Sequence, residues 1–173
     1  MKLTYYDFDK SKNLIEEIFL LTVTEEDIPF TSSILPIGLI NIAFIRNNKQ
    51  LATYNSEKTP LKNAMFSGQF YGSYRLDVLE KGYTVGISLH PSAIYKLFKI
   101  DLFQFYNKHT KLKDVNIELY KILNPIFLEH KNNISEFGRS INKKINSLYV
   151  LENDKFTYYR QSNRLHLGKR RIN

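Results

Sequence analysis

Up to Leu89 the hydrophobic positions come in short, separated stretches of strand character. Ile18-Phe19-Leu20-Leu21-Thr22-Val23 is apolar and β-prone, and Glu25-Glu26-Asp27 with Pro29 closes it. Residues 3–8 and 30–35 read as extended, the second closed by Pro36 and Gly38. Residues 39–46 are rich in Ile and Phe. Asn47-Asn48 supplies a turn and residues 51–54 answer it, which predicts a hairpin. A short apolar stretch follows at residues 64–66. Tyr74, Leu76 and Val78 then alternate with Arg75, Asp77 and Leu79, a period close to two. After the turn at Lys81-Gly82, Val85, Ile87 and Leu89 share one face, and Gly86, Ser88 and His90 share the other. Short strands at such spacing point to a sandwich or barrel.

The pattern changes at Pro91. Pro91-Ser92-Ala93-Ile94-Tyr95-Lys96-Leu97-Phe98 reads as a short helix with proline in its first turn. Asp101 can cap a turn over residues 102–106, and residues 109–113 read as a polar loop. Asp114 can open a helix to about Glu129 that contains Pro125. Asn133 or Ser135 starts the last helix. There Ile134, Phe137, Ile141, Ile145 and Leu148 recur at spacings of 3, 4, 4 and 3. Such a stripe serves either the chain's own core or a second copy of the chain. As a dimerisation seam it is the sharper expectation.

Composition narrows the chemistry. The 173 residues hold 12 Tyr and 12 Phe, no Trp and no Cys. That length suits one domain with an extension. Without cysteine there is no disulfide scaffold, zinc ribbon, iron–sulfur centre or thiol nucleophile. The net charge is +8. Half of it lies in residues 152–173, where Lys155, Arg160, Arg164, Lys169, Arg170 and Arg171 face only Glu152 and Asp154. With Tyr158 and Tyr159 among them, this tail could contact nucleic acid through phosphates and stacking. Arg160, Arg164, Lys169, Arg170 and Arg171 are the candidate contacts, against a solvated terminus. The start of the chain lacks an apolar signal core, and the near-apolar run at 35–45 is too short for a membrane helix. The expectation is a cytoplasmic protein with no membrane partner.

Catalytic and cofactor motifs are lacking. The four histidines, His90, His109, His130 and His166, show no His-x-His or i, i+4 pairing, so no metal and no cofactor are expected. Ser88 and His90 lie two apart near Asp77, but no nucleophile elbow surrounds them. Phosphate-binding glycine loops are missing as well. Glu16-Glu17 and Glu25-Glu26-Asp27 read as solvated rim positions. No catalytic residue is assigned. A helix-turn-helix pair is not evident.

Two stretches carry a family resemblance. One is Leu35-Pro36-Ile37-Gly38-Leu39-Ile40-Asn41-Ile42-Ala43-Phe44. The other is Phe66-Ser67-Gly68-Gln69 continued by Gly82-Tyr83-Thr84-Val85-Gly86-Ile87-Ser88-Leu89-His90-Pro91 into the helix ending at Phe98. Together they resemble the N-terminal sensor domain of a branch of AraC-type transcription regulators, and Lys111-Leu112-Lys113-Asp114-Val115 with the helices around it fits too. The resemblance spans about residues 3 to 150. It implies an α+β fold, a cupin-like antiparallel β-sandwich or barrel followed by C-terminal amphipathic helices. It further implies a sensing and dimerising domain at residues 1–151 that binds a small-molecule effector and forms a homodimer. Residues 152–173 would then be a basic tail or a linker severed from a DNA-binding domain, since 22 residues cannot hold two helix-turn-helix units. On this reading the cavity lining is Ile40, Ile42, Phe44, Tyr74, Leu76, Ile87 and Leu89, with plain core as the alternative for each. The function expected is effector sensing without catalysis. A stand-alone cupin-like binding protein, a small cupin-type enzyme and a nucleic-acid module driven by the tail are the alternatives.

Overall fold

The computed structural model describes residues 1–11, 14–131 and 133–168, with side chains to residue 151. Among these residues eight strands form one antiparallel sheet that does not close: β1 (Lys2–Tyr5), β2 (Ile15–Val23), β3 (Phe30–Ile34), β4 (Ile40–Tyr54), β5 (Glu57–Ser67), β6 (Tyr74–Val78), β7 (Gly82–Leu89) and β8 (His109–Lys111). The helices are α1 (Pro91–Phe98), α2 (Leu112–Val115), α3 (Ile117–His130) and α4 (Ile134–Gly168). The expected α+β class, strands first and helices after, is the observed one.

The order is β1-β2-β7-β4-β5-β8, with β6 on the far half of β4 and β3 on β6. The long hairpin of β4 and β5 makes two layers from one sheet. The first half of β4, from Ile40 to Arg46, pairs with β7. Its second half, from Gln50 to Thr53, pairs with β6. Between the halves the β4–β5 register shifts at Ile45 and Gln50, and Asn47 and Asn63 take left-handed backbone conformations, with φ of 46° and 60°. Such a bulge bends a strand and raises its twist.

The hairpin therefore differs from the sequence reading. Asn47-Asn48 does not reverse the chain; it lies inside β4. The reversal falls at Asn55 and Ser56, both with positive φ, between the paired residues Tyr54 and Glu57. Two left-handed residues form the turn that matches strand twist. β5 is correspondingly longer than expected and tolerates Pro60. There β5 has only β4 beside it, because β8 pairs with β5 only from Met65 to Ser67. Residues 109–113, expected as loop, supply β8 and the start of α2.

The helices cover one face of the first layer. Ile18, Ile40, Ile42, Phe44, Phe66, Val85, Ile87 and Leu89 pack there against Ile94, Leu119, Leu123, Phe127, Phe137, Ile141 and Ile145. Phe44 stacks on Phe127 with centroids 4.8 Å apart and meets Phe137 edge-on at 6.2 Å. α3 begins two residues later than expected because Asn116, not Asp114, caps it: its side-chain oxygen accepts from the Leu119 N–H at 2.8 Å. Asn133 caps α4 in the same way, accepting from Glu136 at 3.2 Å.

The stripe on α4 goes to this core. Phe137, Ile141 and Ile145 have no exposed surface, and Ile134 is half-buried against them. Those three positions leave no surface for a second copy; Leu148 is half-buried. The spacing of an amphipathic helix is the same for either use, so periodicity could not separate them.

Candidate functional site

Strand side chains alternate between faces, so the helix-covered face takes one set from each strand and the inner face takes the other. On β2 the inner set is Glu17, Phe19 and Leu21; on β4, Asn41, Ala43 and Ile45; on β7, Thr84 and Ser88. Met65 and Ser67 of β5 join them from the same layer. Phe30, Ser32 and Ile34 of β3 and Tyr74 and Leu76 of β6 close over them from the second layer. The result is a cavity of about 360 Å³ between the layers, within the range of small-molecule sites. Leu3 and Tyr5 of β1 and Ile37 stand exposed around it.

Gly86 shapes one wall. It pairs with Phe19 across β2 and β7, and a Cβ on Gly86 would come within 2.3 Å of the Phe19 ring. The missing side chain lets the ring lie flat over β7.

The polar groups are few and converge. The buried Ser88 hydroxyl lies 2.7 Å from Asn41 Oδ1 and 3.3 Å from Glu17 Oε2. A hydroxyl has one proton to donate, so the shorter contact to Asn41 takes it and Glu17 keeps its lone pairs for another donor. Glu17 is the one ionisable side chain of acidic or basic type lining the cavity. The N-terminal ammonium of Met1 at the rim is paired with Asp27, whose carboxyl that ammonium and the Thr24 hydrogen bonds pull down to about 2. Gln50 donates to Thr84 at 2.7 Å deeper in.

A second polar group borders the cavity. Ser67 Oγ lies 2.8 Å from His109 Nδ1. The His109 ring packs against Phe70 and Tyr74, each at a centroid distance of 4.7 Å, and its Nε2 is buried without a partner. Burial pushes His109 down to about 4 and the Tyr74 hydroxyl up to about 12, so both are neutral at ordinary pH.

Of the seven lining residues expected from sequence, Tyr74 and Leu76 line the cavity. Ile40, Ile42, Phe44, Ile87 and Leu89 instead face the helices as fully buried core. The sequence reading assigns the most apolar face of β4 and β7 to the ligand. It is the face a helical layer must cover, and the mixed face with Asn41, Ala43 and Ser88 lines the cavity. Glu17 was missed because Glu16-Glu17 reads as a solvated pair. Glu16 does behave so, 3.0 Å from Lys10 and 3.4 Å from His90. The strand parity Glu17, Phe19, Leu21 was the available signal for the other. Ser88 and His90, weighed as a nucleophile and base, have separate partners. Asp77 holds Thr31 at 2.7 Å and Arg75 at 2.9 Å.

Among the described residues no cluster of three His, Asp or Glu could hold a metal, and no helix is long and apolar enough to cross a membrane. The side chains of Arg160 and Arg164, and Lys169, Arg170 and Arg171 entirely, lie outside the described residues.

Comparison with known proteins places this arrangement. No curated protein matches the chain. The fold is similar to that of the AraC-like transcriptional activator CuxR, with a TM-score of 0.51 at 13% identity over 86% of this chain. The match takes in 54% of that protein, so this chain corresponds to about half its length. Residues 12–111, from β2 through β8, match the model of a domain of unknown function, DUF6597. The chain belongs to the DUF6597 family.

Proposed function

We propose that the chain is the effector-sensing part of an AraC-type transcription regulator, acting in the cytoplasm by binding rather than by catalysis. The observation that carries this reading is the cavity between the two layers, with its single carboxylate and its wall of Asn41 and Ser88. The fold likeness to an AraC-like activator supports it. DNA contact would belong to a further domain, and dimerisation to surface outside the buried stripe of α4.

The lining also sets the kind of effector. A mostly apolar cavity with one carboxylate and no cationic side chain takes an apolar body bearing a hydrogen-bond donor. A carboxylate ligand would meet Glu17 as a like charge. The experiment is a thermal-shift series with benzylamine and phenethylamine, their alcohols and their carboxylates. Amines are expected to raise Tm, alcohols less, carboxylates not at all. Glu17→Gln is expected to weaken the amine response about tenfold or more, the value of a charge-assisted hydrogen bond. Equal responses from all three series, or an amine response indifferent to Glu17→Gln, would sink the reading.

A further inference from the structure

A second and larger cavity, about 480 Å³, lies on the other side of the β4–β5 hairpin, between its bend and α3. Four cations stand around it: Arg46 from β4, Lys62 from β5, Lys111 from β8 and Lys113 from α2. Among the described residues no carboxylate lines it. The four side chains are exposed, and none has an ion-pair partner among the described residues. Elsewhere on this surface the structure does pair its charges, as Lys10–Glu16, Lys81–Glu25, Lys121–Glu118 and Arg139–Glu136 show. The half-buried Tyr120 lines the floor, which rests on the buried Phe44 and Phe127. The Arg46 guanidinium carbon sits 5.9 Å from the centre of the Phe127 ring.

Two stretches distant in sequence, the β4–β5 hairpin and the β8–α2 segment, thus bring like charges together. Their mutual repulsion costs stability, and a bound anion relieves it. Arginine and lysine suit phosphate oxygens, the guanidinium in bidentate fashion and the ammonium groups as point charges. The Tyr120 ring among these cations suits a planar ring body.

We propose that this groove is a binding site for a small phosphorylated compound with a planar ring, of the nucleotide class. It stands apart from the cavity of Glu17, and neither reading depends on the other.

Calorimetric titration of the full chain with ATP, adenosine and inorganic pyrophosphate tests it at two salt concentrations. ATP is expected to bind tightest, pyrophosphate more weakly and adenosine not measurably. Arg46→Ala and Lys113→Ala are each expected to weaken ATP binding about tenfold. Lys96→Glu, on α1 and outside the groove, is expected to have little effect. Because these side chains are exposed and repel one another, Tm of Lys113→Ala should not fall below that of the parent, so its binding loss is not a folding loss. Pyrophosphate binding as tightly as ATP overturns the ring half of the proposal. No binding of any probe, or a loss equal in Lys96→Glu and Arg46→Ala, overturns it entirely. So does a short DNA duplex that outcompetes ATP for the same residues, which would make the groove a nucleic-acid surface.

Discussion

The fold holds His109 neutral by burial. It contacts the hydroxyl of Ser67, two aromatic rings and nothing that would stabilise a proton on Nε2. Its affinity for a proton is therefore higher unfolded, near 6.5, than folded, about 4. The unfolded chain binds more protons throughout that interval, so stability rises with pH across it. The contribution is complete above about 6.5 and is lost as pH falls towards 4. A shift of this size corresponds to about 3 kcal/mol. Urea midpoints measured from pH 7 down to 4 should fall for the parent chain and fall much less for His109→Gln. Parallel curves would mean that the ring accepts a proton in place. The carboxyls of Asp27, Glu16 and Asp77 are also held low in the fold; what they lose at the acid end of this window is lost by both chains and cancels in the comparison.

At the level of elements, strand parity decides what each residue can do. The sequence shows where β7 lies and which residues alternate along it. It does not show which face a helix will cover, because that depends on α1, α3 and α4 folding back over β2, β4 and β7. Ile87 and Leu89 were legible as one face and Ser88 as the other; their assignment to core and cavity was not. The bend of β4 was equally hidden. Asn47-Asn48 has turn chemistry, and the structure uses its positive φ for a bulge rather than a reversal. Helix caps were easier, since a side chain bonding two or three residues ahead is a local event. The α4 stripe gives the sharpest test at this scale. Phe137 and Ile141 are fully buried beneath the sheet. Phe137→Ala is expected to cost about 3–5 kcal/mol and Ile141→Ala about 2–5 kcal/mol. Urea unfolding should show both losses at every protein concentration. A loss that disappears at high concentration would return the stripe to an interface between copies.

Across the whole molecule, β4 is the strand that joins the cavity to the helices. Asn41, Ala43 and Ile45 face inward, while Ile40, Ile42 and Phe44, their immediate neighbours, face α3 and α4. Phe44 touches both Phe127 of α3 and Phe137 of α4. A close-packed core does not absorb a shift of one strand silently, because the rings on its far side must move with it. Ligand held at Asn41 and Glu17 would thus bias the seating of both helices, and a regulator needs such a path from effector to output. The second half of β4 belongs to a different pairing with β6, beyond the bulge. Hydrogen exchange with and without saturating benzylamine reads this directly. Slower exchange is expected in residues 40–46 and also in α3 and the first turns of α4, none of whose amides touch the cavity. Protection confined to β2, β4, β6 and β7 would mean that the ligand is bound but its presence is not transmitted to the helical layer.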